Sequence, residues 1–274
     1  MNESLLSSAR ILRCPLCHCG GSFHSGSFIC EHRHCFDLAS AGYLNLVPQQ
    51  RPGKYGKSSF QSRAFVFSAG AYLPLVKRLA EILSFTPFSP DFCLVDAGCG
   101  EGYYAARLQS ALRVPVVGLD IERDALKLAA KRSQTVAWLV ADLSNLPLKD
   151  QSASAVLNLL SPANYGEFAR ILRPDGLLAK VIPGESYLIE LRELLGGRLR
   201  GESAAGVEAE MLFRQNTSDC RVEELDYRVA VSETLAAHFF AMTPLSFGRE
   251  LSPGALRSLD SIRIHLKILT GRQP

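Results

Sequence analysis

The chain has 274 residues, of which 47% are hydrophobic and 21% charged, with a formal net charge of +3. These proportions allow one large or two modest folded domains and exclude a disordered or fibrous chain. No run approaches eighteen apolar residues, which argues against a membrane-spanning helix, and the small net charge leaves any nucleic-acid affinity to local basic patches. Residues 1–10 lack the apolar stretch of a secretory signal, so a cytoplasmic, reducing setting with no membrane partner is expected.

Five of the eight cysteines fall within residues 14–35. Cys14 and Cys17 form a C-x2-C pair, and after twelve intervening residues Cys30 with His34 forms C-x3-H. The first spacing brings two thiolates onto one tight turn, and the second can close a tetrahedral site from the other side. In a reducing compartment a disulfide framework is disfavoured, and a unit this small has little core of its own, so a metal would stabilise it directly. Cys14, Cys17, Cys30 and His34 are therefore the candidate ligands of a structural Zn2+, with Cys35 competing for the place of His34 and Cys19 and His32 nearby. Cys93, Cys99 and Cys220 sit in apolar or strand-like contexts and read as small buried hydrophobes.

Residues 1–48 are read as this zinc-binding domain, with a short strand over 27–30 and a turn and strand over 36–48 that pack back on the metal unit. Residues 49–90 are a linker and lead-in helix, the helix over 64–83 with a break at Pro74. The linker carries Arg51, Lys54, Lys57 and Arg63 with Tyr55 and Phe60 between them. Cations alternating with aromatics suit an RNA backbone with stacked bases, and a solvated linker explains them equally well.

From residue 91 to 274 strands and helices alternate, with strands near 92–96, 115–120, 135–141, 155–160 and 176–182. Helices fall near 102–112, 122–132, 164–172 and 186–195. The order is that of an α/β, Rossmann-like parallel sheet with ligands beyond the carboxyl ends of its strands. Residues 196–210, rich in Gly, Ala and Glu, read as a mobile loop or lid. A strand over 220–232, a helix over 233–242 and a final antiparallel strand over 261–270 complete the chain. In the last strand Ile262, Ile264, Leu266 and Ile268 make an apolar face, and Arg263, His265 and Lys267 a basic face that is read as solvated or as touching RNA.

The first strand of this domain ends in Asp96 and runs into Gly98-Cys99-Gly100-Glu101-Gly102. Glycines let a backbone approach a ligand closely, and the following helix N-terminus favours electronegative groups. Asp120 closes the next apolar run, at a distance that suits ribose hydroxyls, and Asp142 closes a third. Acids in these positions can also be simple turn caps.

The Asp96–Gly102 segment resembles the first motif of class I S-adenosylmethionine methyltransferases, which implies a seven-stranded sheet. The resemblance assigns the cofactor to Asp96, Gly98, Gly100, Glu101, Gly102, Tyr103, Asp120, Ile121, Asp142, Leu143 and Asn158. The whole chain from Cys14 to about Lys267 resembles the RlmA family of 23S rRNA guanine-N1 methyltransferases. The carrying motifs are Cys-Pro-Leu-Cys at 14–17, Cys30-x3-His34, Phe-Asp-Leu-Ala at 36–39, Gly-Tyr-Leu-Asn-Leu at 42–46, Gly-Cys-Gly-Glu-Gly-Tyr-Tyr at 98–104, Met-Thr-Pro at 242–244 and Ile-His-Leu at 264–266.

That resemblance implies methyl transfer to a guanine in a domain II hairpin of 23S rRNA or a large-subunit precursor, and it is compatible with a homodimer. The stretches 158–165 and 180–184 look more like the Gram-positive branch associated with macrolide resistance. Asn158, Ser161, Pro162 and Asn164, at the end of the fourth strand, and Tyr104 are the expected substrate-side residues. Ser161-Pro162-Ala163-Asn164 stands where amino-group methyltransferases carry an Asp/Asn-Pro-Pro-aromatic motif, which argues against an exocyclic amine as target and leaves the base unassigned.

Overall fold

The computed structural model describes residues 3–47, 56–86, 93–196, 202–252 and 254–273. A short helix, α1 (Glu3–Ser8), leads into β1 (Gly21–His24), β2 (Ser27–Cys30) and β3 (Cys35–Asp37), an antiparallel three-stranded sheet. Ser25 and Gly26 both have positive φ, 48° and 88°, as a two-residue hairpin between β1 and β2 requires. Leu38 then bridges Leu44, so the segment folds back on itself as expected. Its strand β4 (Leu44–Asn45) nevertheless pairs with a larger sheet.

Two helices stand where one broken helix was expected. These are α2 (Lys57–Ser68) and α3 (Leu73–Ser84). The break falls at Gly70, φ 80°, and Pro74 lies in the first turn of α3, where its missing N–H costs nothing. Then follow β5 (Leu94–Ala97), α4 (Tyr103–Leu112), β6 (Val116–Asp120), α5 (Arg123–Arg132) and β7 (Ala137–Val140). The second half contains β8 (Ala153–Leu159), α6 (Tyr165–Ile171), β9 (Leu172–Pro183), α7 (Ile189–Leu194) and α8 (Glu202–Gln215). It ends with β10 (Ser218–Ala230), α9 (Glu233–Ala241) and β11 (Ser261–Arg272).

The sheet order is β10-β11-β9-β8-β5-β6-β7-β4. Strands β9, β8, β5, β6, β7 and β4 run parallel, and β11 is antiparallel to both β9 and β10. Seven strands come from the region after residue 90, the number implied by the class I methyltransferase resemblance, and β4 adds an eighth from the N-terminal segment. Between β5 and β8 the chain changes direction across the sheet, so their carboxyl ends flank the crevice in which such folds bind ligands. Every residue of β5, β7 and β8 is buried, which requires cover on both faces. One face is covered by α2 to α5 and α9. On the other, Leu5, Leu12, Phe28 and Phe36 of the N-terminal unit share a core with Val95, Leu139, Leu148 and Phe168.

Two expectations are corrected. Most of the segment read as a lid is α8, since its alanines and glutamates favour a helix more than its glycines oppose one. The basic face of β11 is not a solvated stripe, because α7 and α8 pack against the strand and acidic side chains of α8 and the neighbouring β10 meet its cations. Arg263 pairs with Asp226 (2.6 Å), His265 lies 3.4 Å from Glu224, and Lys267 reaches Glu210 of α8 (3.2 Å).

Candidate active site and metal centre

The turn after a single 3-10 helical turn, Ala9–Ile11, carries Cys14 and Cys17, and the end of β2 supplies Cys30. Arg33, φ 64°, turns the chain so that His34 comes back over Cys30. The ligand atoms of Cys14, Cys17, Cys30 and His34 all lie within 4.8 Å of one another. Cys14 Sγ to His34 Nδ1 is 3.5 Å, Cys30 Sγ to His34 Nδ1 3.4 Å and Cys17 Sγ to Cys30 Sγ 3.6 Å. Ligands at ordinary zinc bond lengths on a tetrahedron stand about 3.4–3.8 Å apart, so these three separations are those of a zinc site. The amides of Leu16 and His34 point at Cys14 Sγ (3.4 Å) and Cys30 Sγ (3.3 Å), as suits thiolates. A backbone hydrogen bond from Cys19 lowers the Cys17 thiol to about 6. Cys35 is exposed, with its sulfur 3.9 Å from Asp37 Oδ1, and does not join the group. Cys19 and His32 share a second grouping with Cys17.

The N-terminal unit is bound tightly to the sheet. The amide of Arg13 donates to Pro147 O (3.0 Å), its Nε donates to Leu146 O (3.1 Å), and Asn145 Nδ2 donates to Pro15 O (2.9 Å). The metal centre is thereby fixed against the segment that follows Asp142.

At the carboxyl end of β5 the loop turns through Gly98, Gly100 and Gly102, all with positive φ. A Cβ on Gly98 would stand 2.0 Å from Ser161 Oγ, and one on Gly102 would stand 2.4 Å from the Trp138 ring. A Cβ on Gly100 would meet only Arg63 Nη1, at 3.2 Å. Gly98 and Gly102 are thus required by protein packing, and Gly100 presents bare backbone.

Asp96 and Glu101 are each 1% exposed, and none of their four carboxylate oxygens has a hydrogen-bond partner among the described residues. Buried, unpartnered carboxylates are costly and point to a cationic or donor group that the loop receives. Burial, reinforced by neighbouring Asp120, raises Asp96 to about 7, and burial raises Glu101 to about 7 against the opposing pull of Arg63.

Asp120 is engaged at both oxygens. Gly100 N–H donates to Oδ2 (2.7 Å) and Glu122 N–H to Oδ1 (2.9 Å), which stitches the end of β6 to the loop. Each oxygen keeps a lone pair for a further donor. Next to it Ile121 is 38% exposed, an apolar face at the sheet's ligand edge. Asp142 caps its own turn, accepting from Ser144 N (2.8 Å) and Ser144 Oγ (2.7 Å), with Leu143 beside it.

At the end of β8 Asn158 is fully buried. Its Nδ2 donates to Ala97 O (3.0 Å) and Pro162 O (2.9 Å), and its Oδ1 accepts from Lys180 Nζ (2.5 Å). Lys180, lowered to about 8 by burial, also donates to Ser161 O (3.0 Å). Asn158 therefore holds the loop 160–163 in place through its carboxamide. Leu160 is exposed and takes φ 52°, a strained conformation of the kind that clusters at functional sites. Asn164 caps α6 by accepting from Glu167 N (3.2 Å). Pro162 is exposed beside Ser161, which packs on Gly98.

Tyr103 and Tyr104 are buried in the first turn of α4, both hydroxyls without a partner among the described residues. Phe67 of α2 stacks on Tyr103 (4.5 Å) and meets Tyr104 edge-on (5.4 Å). The structure thus gathers Asp96, the glycine loop, Asp120, Asn158, Ser161 and both tyrosines at one end of the sheet. Lys180 was not anticipated as part of it. Its signal was a lone cation inside the apolar run 177–182. Of the basic linker, Arg51, Lys54 and Tyr55 lie outside the described residues, and Arg63 stands over the glycine loop.

Comparison with known proteins agrees with this architecture. Residues 12–54 match the family model described as RlmA, N-terminal, a zinc ribbon, and residues 94–176 match a methyltransferase domain. The Bacillus subtilis protein YxjB, which carries a provisional 23S rRNA (guanine-N1)-methyltransferase assignment, is 33% identical over 86% of this chain and 87% of its own. The 23S rRNA (guanine(748)-N(1))-methyltransferase of Streptomyces fradiae is 36% identical over 73% of this chain and 76% of its own. A Micromonospora griseorubida protein with the same provisional assignment is 31% identical over 68% and 70%. With a ribbon-type metal centre welded to a methyltransferase sheet and relatives that span most of both, the chain belongs to the RlmA-type family of 23S rRNA (guanine-N1)-methyltransferases.

Proposed function

We propose that this protein transfers the methyl group of S-adenosylmethionine to N1 of a guanine in a domain II hairpin of 23S rRNA, in the cytoplasm. The observation that carries the cofactor half is the pair of buried, unpartnered carboxylates, Asp96 and Glu101, on a loop whose Gly100 exposes bare backbone. Residues 1–48 hold Zn2+ through Cys14, Cys17, Cys30 and His34 and support the RNA. Residues 49–90 connect, and residues 91–274 carry out the transfer.

When bound, S-adenosylmethionine supplies an electrophilic methyl carbon and leaves as S-adenosylhomocysteine. Asp96 and Glu101 receive the positive end of its methionine part, Asp120 the ribose hydroxyls, and Ile121, Asp142 and Leu143 the adenine. Asn158, held by Ala97, Pro162 and Lys180, fixes the loop bearing Ser161 and Pro162 beside the place where the methyl group emerges. That positioning is the main contribution such an enzyme makes, because an in-line approach turns a bimolecular step into an effectively intramolecular one. N1 carries a proton at neutral pH that is lost as the ring attacks. The target base has to leave its stack for N1 to be reached, as in other enzymes that act on bases.

The test is methyl transfer from labelled S-adenosylmethionine to unmodified 23S rRNA, followed by reverse-transcription mapping. N1 methylation blocks base pairing, so one strong stop in the domain II hairpin is expected. A stop at the guanine modified by the Streptomyces fradiae relative, 748, assigns the macrolide-resistance-associated branch, and a stop at another guanine of the hairpin rejects that branch. Label without a stop would mean another atom, and no label on naked rRNA or ribosomal particles would defeat the proposal.

A further inference from the structure

The sequence puts Arg63 in a basic stretch that suits RNA or solvent equally, and the fold gives it a third place. It lies on α2 between Phe60 and Phe67, at i+3 and i−4, the spacing of one helix face. Phe60 and Phe67 are both buried, and the Arg63 guanidinium sits over the Phe60 ring at 5.5 Å. The helix therefore directs Arg63 inward with its apolar stripe. The side chain ends at the glycine loop, where Nη1 would be the nearest atom to a Cβ on Gly100. Its charge is felt by Glu101, by Asp120 and by Tyr187.

A cationic side chain over the exposed backbone of such a loop has a chemical counterpart in the ligand. The methionine part of S-adenosylmethionine ends in an ammonium and a carboxylate. Asp96 and Glu101 suit the ammonium, and they repel the carboxylate. A guanidinium at Gly100 answers that repulsion with two parallel donors, the geometry that favours arginine over lysine for carboxylates. Arg132, the other cation near Glu101, meets the loop from its far end, its Nε donating to Glu101 O (3.3 Å) and its guanidinium lying over Tyr103 at 5.7 Å.

We propose that Arg63 is the carboxylate anchor of the cofactor site, so that α2, which follows the linker, closes the methionine end of the site against the glycine loop. This rests on the cofactor reading above. Its consequence is selectivity: the site should distinguish S-adenosylmethionine from its decarboxylated form, which differs only in lacking that carboxylate.

The experiment is equilibrium binding of both compounds to the zinc-loaded full-length protein and to Arg63→Gln and Arg63→Lys, with thermal melting and zinc content as controls for folding. The intact protein should prefer S-adenosylmethionine by about tenfold to a hundredfold, the range of a charge-assisted bidentate pair. Arg63→Gln should bring the two compounds to within about threefold of each other while leaving the decarboxylated compound bound as before, and Arg63→Lys should fall between. Equal weakening of both compounds in Arg63→Gln would show that Arg63 merely props the loop and would overturn the assignment, as would undiminished preference. If the unaltered protein binds neither compound, the cofactor reading itself fails, and this inference with it.

Discussion

The candidate metal centre gathers its four donors from two turns, one before and one within a three-stranded sheet of 4, 4 and 3 residues, whereas the candidate cofactor loop hangs from β5, in which every residue is buried. The first site helps to make the structure around it. The second is a fixed frame that carries unsatisfied charge: Asp96 and Glu101 are costly until something cationic arrives. One site contributes ligand-binding energy to folding, and the other contributes folding energy to ligand binding. They should therefore fail differently when perturbed.

The largest effect should come from Cys17→Ser. Structural zinc in small ribbons contributes on the order of 10 kcal/mol of apparent folding energy, and three remaining ligands cannot retain most of it. Because Leu12, Phe28 and Phe36 share a core with Val95 and Leu139, the damage should not stay in the ribbon. The expected outcome is loss of bound zinc and a single, strongly lowered melting transition, checked by metal analysis and calorimetry. Cys35→Ser, outside the ligand group, should change neither. Loss of zinc with an unshifted transition would mean that the two units are energetically separate.

Gly98→Ala should injure the other site and spare the first. The new Cβ would stand 2.0 Å from Ser161 Oγ at φ 83°. A left-handed non-glycine residue costs about 1–2 kcal/mol and overpacking a further 1–3. We expect a cofactor affinity lower by on the order of a hundredfold with zinc content unchanged. Adding Ser161→Gly should recover the steric part and leave the backbone part. If it recovers nothing, the 158–163 loop is not what Gly98 packs against in solution.

Both sites were legible only in their local parts. Cys14, Cys17, Cys30 and His34 could be read from spacing because their chemistry is local, and the glycine loop could be read for the same reason. What escaped depends on partners distant in sequence. The two-residue strand β4 is too short to declare itself, and only its pairing with β7 makes it a strand. The basic face of β11 has the alternation of a solvated strand, yet Asp226, Glu224 and Glu210 neutralise it from β10 and α8. Asn158 looked like a substrate group because it ends a strand, and the structure gives its carboxamide three intramolecular tasks. Arg63 looked like a linker cation because the helix that points it inward begins only at Lys57.

The smallest expected effect sharpens the contrast most, because it belongs to the cofactor site alone. Asp96 and Glu101 are both raised to about 7, first by burial, with Asp120 adding to the rise at Asp96 and with Arg63 and Arg132 opposing it at Glu101. For an acid whose folded value is raised, the stabilising contribution is full below the unfolded value near 4 and is lost as pH rises through about 7. The cofactor-free protein should thus lose stability between pH 5 and 7 from these two groups. A cationic ligand favours the ionised carboxylates, so its affinity should move the opposite way. Between pH 5.5 and 7.0, below the titration of the ligand's own amino group, one such acid supplies a rise on the order of tenfold. Calorimetric titration with S-adenosylmethionine in buffers of different ionisation enthalpy would register this as proton release on binding. Asp96→Asn should reduce the pH slope to the part that Glu101 supplies while leaving zinc bound. An affinity that is level across the window in the unaltered protein would mean that neither carboxylate meets the ligand's positive end, and that their isolation in the core serves some purpose other than receiving it.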